Sequence, residues 1–439
     1  MAKKSFRAAA RKIALAFVFI LSVTVFSAGC FITDRLDSVK WTLKTIENNY
    51  YFYDDFNAEG AENLTPREIA ERLDIYSEYY TREEYEAVLR DNSGEKSGVG
   101  ISYNFIAGKG AYLVTVTGAS PAAEAGLTAG DLITGGRKDG ETVTFDTSAK
   151  LTQFIDGCKT GEKFTFTTED GGEYELSREV FTASYTFYAT NETAWKFVGS
   201  GDKNGLALVE DRSAAREYLP DGAAYVRLSQ FYGTLADEFG KLMNKFNASH
   251  CTSLILDLRN NGGGYVSAMQ DIAGYFTSSL DGQTHAAMTA EYKSGKKELY
   301  NCYKHDEGLV PADTEIYVLA NSGTASASEA LIGVLVSYGL LDYENIFISD
   351  YGDEYLQWAG AGVKTARTYG KGIMQSTFTN SFTGEALKLT TAKIFWPNGK
   401  SIHDVALTAS DGCTLVPAKW TATKNDEELR KVVEIIGSR

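Results

Sequence analysis

Apolar and polar positions along the chain follow three successive patterns, and the first is helical. From residue 34 to residue 50, apolar side chains recur every three or four positions, which predicts an amphipathic helix. Thr65 is followed by Pro66 and Glu68, and Thr81 by Glu84; both sequences are typical of a capped helix start. We therefore predict a helical region over residues 30–93.

The second pattern consists of short apolar runs separated by glycine turns, which predicts strands. A helix is predicted within this part at residues 148–158, and a tight turn at Asp170-Gly171-Gly172. The pattern predicts a β-rich unit over residues 94–182, with strands at 98–103, 111–116, 163–168 and 173–178.

The third pattern alternates strands with helices from residue 183 to residue 439. Strands are predicted at 224–228, 254–258 and 315–320, followed by helices at 236–247, 266–276 and 327–338. This alternation is typical of an α/β layered domain, in which reactive groups gather at the carboxyl ends of strands. Asp257–Gly264 and Asn321–Ser326 both follow a predicted strand.

Composition fits a folded protein of two or three domains. Of the 439 residues, 44% are hydrophobic and only six are proline, so long disordered stretches are not expected. The net charge of −15 makes nucleic acid an improbable partner. The five cysteines form no CxxC pair, and no metal or nucleotide site is indicated; no cofactor is expected.

The amino terminus predicts export. Five basic residues precede an apolar run over residues 13–26, followed by Ser27-Ala28-Gly29-Cys30. Residues 1–29 are predicted to be a signal peptide, whose removal would bring the net charge to −20. The final four residues resemble a bacterial lipobox, with Ser27 where leucine is usual. The resemblance implies lipidation at Cys30 and a membrane anchor on the extracytoplasmic face; an uncleaved anchor and simple secretion are the alternatives.

Nucleophilic chemistry has few candidates in this chain. The small-residue segment Asn321–Glu329 offers the hydroxyls of Ser326 and Ser328, and Thr368–Gly372 offers the amine of Lys371. None of the four histidines lies in a recognisable catalytic motif. A serine activated by a lysine is therefore the leading candidate.

Five sequence motifs, in the same order along the chain, resemble those of the carboxy-terminal processing (tail-specific) protease family, which are serine-lysine peptidases with a PDZ domain. The resemblance covers roughly residues 40–405. The motifs are residues 73–85, 98–133, 257–264, 324–329 and 368–375. The resemblance implies a crotonase/ClpP-like layered protease domain over residues 183–439, with an inserted PDZ-like domain at 94–182. It also implies an exported endopeptidase that cleaves protein substrates near free C-termini.

The resemblance assigns roles to particular residues. Ser326 would be the nucleophile, Lys371 the general base and Gln375 the residue that orients the lysine. A lysine at its ordinary pKa of ~10.4 is protonated, so burial would have to lower the pKa of Lys371. Backbone amides of Gly263, Gly264 and Ala327 would form the oxyanion hole. A substrate carboxylate would be bound at the segment Gly98-Val99-Gly100-Ile101.

The sequence departs from the family pattern before Lys371. The spacing from Ser326 to Lys371 is 45 residues, about 20 longer than is usual, and the surplus at 341–364 is interpreted as a surface insertion. Two alternatives stay open at this point. One is a non-catalytic PDZ-containing scaffold, and the other is a serine hydrolase with His250 or His403 as base. The substrate and a possible homo-oligomeric state are not indicated.

Overall fold

The computed structural model describes residues 37–200, 205–352, 364–419 and 426–438. The predicted signal peptide and Cys30 lie outside these residues. Within them, no helix is both long and apolar enough to cross a membrane.

Helices and strands alternate as the sequence patterns predict. The helices are α1 (Ser38–Asn49), α2 (Pro66–Ala70), α3 (Arg82–Asn92), α4 (Pro121–Glu124), α5 (Ser148–Asp156), α6 (Leu235–Ala248), α7 (Val266–Asp281), α8 (Ala327–Ser337) and α9 (Glu427–Gly437). The strands are β1 (Glu78–Tyr80), β2 (Glu95–Gly98), β3 (Ile101–Ile106), β4 (Gly110–Val116), β5 (Leu132–Lys138), β6 (Glu141–Thr144), β7 (Lys163–Thr168), β8 (Glu173–Ser177), β9 (Glu179–Thr182), β10 (Thr186–Ala189), β11 (Ala194–Gly199), β12 (Leu206–Glu210), β13 (Ala223–Leu228), β14 (Ser253–Asp257), β15 (Ala286–Tyr292), β16 (Lys297–Asn301), β17 (Glu315–Ala320), β18 (Ile346–Asp350), β19 (Ile373–Thr379), β20 (Ala386–Phe395) and β21 (Thr414–Pro417).

One compact unit combines residues up to 88 with residues 292–296 and 374–392. Its helix α2 starts at the capping box predicted at Thr65. The Thr65 side chain accepts a hydrogen bond from the Glu68 backbone amide, and the Glu68 side chain accepts one from the Thr65 backbone amide. β1 pairs antiparallel with β20, with Glu78 opposite Lys388. The core of this unit includes Ile46, Ile69, Leu387 and Leu389, each fully buried.

The other unit contains residues 89–291, 297–373 and 393 onward. Its main sheet has eight strands in the order β12-β11-β10-β13-β14-β17-β18-β21. Strands β13, β14, β17, β18 and β21 of this sheet run parallel to one another, and the connections between them contain the helices α6, α7 and α8. Parallel strands buried on both faces read as continuous apolar runs, as in Ser253–Asp257 and Glu315–Ala320.

The same unit contains a β-rich module with a core of its own. β3, β4, β5, β7 and β8 form its sheet, β6 pairs with β5, and β3 lies at one edge. Phe145, Phe164 and Phe166 are buried together with Leu151 of α5. The module therefore has a local hydrophobic core of its own.

Two predictions about elements were wrong. Residues 78–80 lie in a region predicted to be helical but form strand β1, because they pair with residues 386–388, far away in sequence. Residues 346–350, part of the predicted surface insertion 341–364, form strand β18 between β17 and β21. Ile346, Phe347 and Ile348 are fully buried, so this segment belongs to the core. Residues 353–363 of the predicted insertion lie outside the described residues.

Candidate active site

Ser326 occupies a strained backbone position at the start of α8. Its φ of 59° and ψ of −116° lie in a region that residues with a side chain rarely adopt. Such conformations cost about 1–3 kcal/mol and concentrate at functional sites. The Ser326 side chain is partly exposed at the end of the connection from β17. The turn therefore presents the hydroxyl at the positive end of the helix dipole.

A buried carboxylate connects the serine segment to the lysine segment. Glu329 Oε2 accepts the backbone N–H of Ser326 at 3.0 Å and that of Lys371 at 2.9 Å. Glu329 Oε1 accepts the Gly370 amide at 2.8 Å and the Thr368 hydroxyl at 2.6 Å. The two segments, 45 residues apart in sequence, are thus joined through a single side chain.

The pKa of Glu329 is raised above its ordinary value, because the carboxylate is buried. The hydrogen bonds from Thr368 and three backbone amides oppose that shift but do not cancel it. Glu329 lies within the serine motif 324–329, and the family resemblance gives it no role. The spacing Ser326-x-x-Glu329 is the capping-box pattern, and that signal could have identified it.

The glycine loop 258–264 packs directly against the serine turn. A β-carbon placed on Gly263 would lie 2.8 Å from both the Ala327 nitrogen and the Ser326 Cβ. Only glycine can approach so closely. The Gly263 amide donates to Asn261 Oδ1 at 3.0 Å, so an oxyanion would have to share that amide or displace Asn261. The loop therefore lies beside Ser326.

Ser328 has a different environment from Ser326. It is fully buried, and its hydroxyl donates to the Asn261 carbonyl at 2.9 Å. The Ala325 amide bonds the same carbonyl at 3.0 Å. The Ser328 hydroxyl thus fixes the glycine loop to α8, which makes it the weaker candidate for a nucleophile.

Ion pairs hold the base of the glycine loop. Arg259 Nη2 bonds Asp257 Oδ2 at 2.6 Å, and Arg227 and the Tyr225 hydroxyl bond the same oxygen. Burial opposes the charge on Asp257, but the neighbouring arginines more than offset it and hold its pKa well below the usual range. Asp257 and Arg259 therefore hold the loop.

Gln375 lies on strand β19. Its Nε2 donates to Thr390 Oγ1 at 3.1 Å, within the compact unit that contains both residues. Lys371 is partly buried just before this strand. Both flanking glycines have close backbone neighbours: a β-carbon on Gly372 would lie 2.5 Å from the His403 nitrogen.

The segment Gly98–Ile101 runs from the last residue of β2 to the first residue of β3. The Val99 carbonyl accepts the Ala122 amide at 3.0 Å, and the Gly100 carbonyl accepts the Thr117 amide at 2.8 Å. Because a trans peptide points its N–H opposite its carbonyl, the amides of Gly100 and Ile101 point away from these partners. Gly100 has a φ of +82°, and a β-carbon there would lie 2.1 Å from the Ser120 side chain.

The two histidine candidates lie in different places. His403 contacts the lysine segment through its backbone at Gly372, and its ring lies 3.3 Å from Asp404. His250 lies in the turn after α6, before β14. In the described ranges, no cluster of three or more His, Cys, Asp or Glu side chains could hold a metal ion.

Comparison with known proteins relates the segment around the serine turn to a peptidase family. Residues 222–342, from β13 through the serine turn to α8, match the family model of peptidase family S41. The serine turn thus lies in an S41-like segment. The whole chain is 23% identical over 406 residues to the probable CtpA-like serine protease of Staphylococcus saprophyticus, covering 90% of this chain and 70% of that protein.

Other relatives carry related names. The chain is 27% identical to the carboxyl-terminal-processing protease of Synechocystis, over 77% of this chain and 68% of that protein. It is also 27% identical to the chloroplastic C-terminal processing peptidase of Tetradesmus obliquus, over 73% of this chain and 61% of that protein. The chain thus spans about two thirds of the length of these relatives.

Two solved structures share the fold. The photosystem II D1 C-terminal processing protease aligns with a TM-score of 0.50 at 19% identity, covering 91% of this chain and 97% of that one. A putative S41 protease from Bacteroides fragilis aligns with a TM-score of 0.57 at 14% identity, with the same coverage. These likenesses show the mixed α/β fold of S41 proteases. The S41 family-model match and the relatives named above support a serine-type peptidase related to C-terminal processing proteases.

Proposed function

We propose that this protein is an endopeptidase that cleaves protein substrates near their C-termini through a Ser326–Lys371 dyad. The observation that carries the proposal is the shared acceptor Glu329 Oε2, which binds the backbone amides of both residues. One carboxylate oxygen thereby fixes the distance between the serine turn and the lysine segment.

The proposed reaction has two steps. The neutral amine of Lys371 takes the Ser326 proton while the hydroxyl oxygen attacks the scissile carbonyl, and it then gives that proton to the leaving amine. A water molecule, activated by the same amine, hydrolyses the acyl-serine ester. Gln375 would orient the lysine.

Negative charge on the carbonyl oxygen requires preplaced donors. The Ala327 amide lies at the amino end of α8, next to Ser326, and Gly263 and Gly264 approach this turn without side chains. We infer that Ala327 and the glycine-loop amides stabilise the oxyanion. The Gly263 amide would have to share its bond with Asn261 or exchange it for the oxyanion.

The β-rich module would capture the substrate. We infer that it is a PDZ-like domain inserted into a crotonase/ClpP-like layered protease domain. The orientation of the Gly100 and Ile101 amides supports binding of a terminal carboxylate at Gly98–Ile101. The edge strand β3 could receive the extended substrate as an added strand.

The cellular setting is part of the proposal and rests on the amino terminus. The basic and apolar pattern of residues 1–29 and the Cys30 motif support export to the extracytoplasmic face with a lipid anchor. Metabolic labelling with a radioactive fatty acid tests it: label is expected in the wild-type chain and not in Cys30→Ala. Equal labelling of both would contradict lipidation at Cys30.

The catalytic proposal is tested with an unstructured protein substrate. Ser326→Ala and Lys371→Met are each expected to lower kcat by about 1,000-fold or more, because each removes a group that reacts. Ser328→Ala is the matched serine variant and is expected to keep measurable proteolysis. Proteolysis at the wild-type rate by Ser326→Ala or by Lys371→Met would refute the dyad. Peptide binding without turnover by the wild-type protein would favour the scaffold alternative.

A further inference from the structure

The carboxyl-terminal helix α9 contacts the base of the glycine loop through two acidic side chains. Asp426 immediately precedes α9, and its two carboxylate oxygens each lie 3.1 Å from an Arg259 guanidinium nitrogen. Glu428 Oε2 lies 3.1 Å from Arg259 Nη1. Arg259 is 8% exposed, so water screens these contacts little.

Arg259 is therefore held from two directions. Asp257, at the end of β14, binds its Nε at 2.9 Å and its Nη2 at 2.6 Å, and also accepts its backbone amide. Asp426 binds Nη1 and Nη2 of the same guanidinium, and Glu428 binds Nη1. A planar guanidinium with partners on both sides has one preferred orientation.

The orientation of Arg259 affects the residues that follow it. The Asn260 amide donates to Asn321 Oδ1 at 2.9 Å, and the Asn261 carbonyl is bound by Ala325 and Ser328. Two residues later, Gly263 contacts Ser326 and Ala327. Any shift of Arg259 would thus move the loop amides relative to the serine.

The α9 acids also bind strand β18 and a second arginine. The Glu428 carboxylate accepts the Ser349 hydroxyl, and Asp426 is 3.4 Å from Arg216 Nη1. Leu429 and Val432 of α9 are buried against Tyr317 and Phe347 of the main sheet. The apolar contacts hold the helix on the sheet, while the two acids point to the loop.

We propose that Asp426 and Glu428 are positioning residues of the catalytic site, which set the glycine-loop amides against Ser326 through Arg259. This inference rests on the proposed function. It extends the site to a helix about 100 residues beyond Ser326 in sequence. Neither acid touches the reacting atoms, so their removal should weaken transition-state binding and leave ground-state substrate binding intact.

The test uses the full chain with Asp426→Asn and Glu428→Gln combined, and Glu428→Gln alone in case the double variant folds poorly. Asparagine keeps the helix cap and tolerates the left-handed conformation of residue 426, where φ is 43°. The double variant is expected to lower kcat by about 10- to 100-fold, because small misplacements of catalytic donors have effects of that size. KM should stay within about twofold.

A second readout does not depend on catalysis. Hydrogen exchange of the peptide spanning residues 258–265 should become faster in the double variant. The control is Asp211→Asn. Asp211 also caps a helical turn and pairs with a lysine, Lys196 at 2.6 Å, but belongs to the far edge of the sheet. The control should change neither kcat nor exchange in the loop.

The outcomes separate this inference from the proposed function. Unchanged kcat, or unchanged exchange at residues 258–265, would overturn the positioning role even if Ser326→Ala is inactive. A rise in KM equal to the fall in kcat, or a similar loss in Asp211→Asn, would also overturn it, since either would indicate general destabilisation. If Ser326→Ala retained activity, the proposed function would fail, and the exchange measurement would still decide whether α9 fixes the loop.

Discussion

At the scale of single residues, the side chain of Glu329 joins the serine segment to the lysine segment. Its two carboxylate oxygens accept four hydrogen bonds, from Ser326, Thr368, Gly370 and Lys371. A buried carboxylate without such donors would be costly to ionise. The donors come from two separate segments, so the carboxylate stabilises their approach.

Glu329→Gln is expected to reduce both activity and stability. Glutamine has nearly the same volume, but its NH2 group would face N–H donors where the carboxylate accepted them. We expect kcat/KM to fall by about 100-fold and the unfolding free energy by about 2 kcal/mol. Proteolysis and thermal unfolding measure these effects. Glu141→Gln, on exposed strand β6, is the control; equal stability of the two variants would contradict the bridge.

A second residue-scale prediction concerns pH. His305 stacks on Tyr275 with ring centroids 3.7 Å apart, and its Nε2 lies 2.7 Å from Asp271 Oδ1. Burial lowers the pKa of His305, but Asp271 more than offsets this, so the pKa is raised. The folded state therefore binds the proton more tightly than the unfolded state, and stability falls as pH rises from about 6.5 through the folded pKa.

Thermal unfolding between pH 6 and pH 9 tests this sign. The wild-type melting temperature should fall as pH rises across the titration of His305, and His305→Gln should reduce that slope. His250→Gln, which changes a histidine outside this stack, should keep the wild-type slope. A slope unchanged in His305→Gln would exclude the His305–Asp271 pair as its source.

At the scale of elements, helix α8 is fixed by a close contact in its middle. A β-carbon on Gly333 would lie 2.3 Å from ring atoms of Trp396. Trp396 follows β20 and is 1% exposed, so the ring has no free space to move into. By helix propensity alone, glycine is unfavourable inside a helix. The contact with Trp396 explains why position 333 has no side chain.

Gly333→Ala should therefore destabilise the protein despite the better helix propensity of alanine. Overpacking of this kind costs about 1–3 kcal/mol. Gly437→Ala is the matched helical control, because its β-carbon would meet nothing within 4 Å. It should be neutral or stabilising by up to about 1 kcal/mol. Denaturant unfolding of both variants decides; equal stability would contradict the close packing at Trp396.

At the scale of the whole molecule, the proposed capture of substrate C-termini connects the β-rich module to turnover. A peptide substrate with an amidated C-terminus should have a KM about tenfold higher than the free acid, with kcat little changed. Gly100→Ala should raise KM for the free acid only, because its β-carbon would collide with Ser120. Gly108→Ala has the same backbone constraint, with φ of +73°, but meets no neighbour.

The two glycine variants also define how this prediction could fail. Equal KM values for the acid and the amide would exclude carboxylate recognition. An equal effect of Gly100→Ala and Gly108→Ala on the acid would indicate strain in the module and not loss of a binding loop. In either case proteolysis by the dyad would be unaffected, so the two parts of the proposed function are separable.

The sequence by itself determined the local elements and the chemistry on offer. The predicted strands 163–168 and 315–320 match β7 and β17, and Thr65 and Thr81 start helices through capping boxes. These features depend on neighbours within a few residues, which periodicity reports directly. The placement of Ser326 at the start of α8 follows from the same local signals.

Only the tertiary structure decided which distant groups meet. It assigned residues 78–80 and 346–350 to strands through partners far along the chain, since pairing across a sheet overrides local preference. It gave Glu329 the donors of Thr368, Gly370 and Lys371, and it brought the acids of α9 to Arg259. Hydrogen bonds and ion pairs of this kind depend on where a chain folds back, and no short-range pattern encodes that.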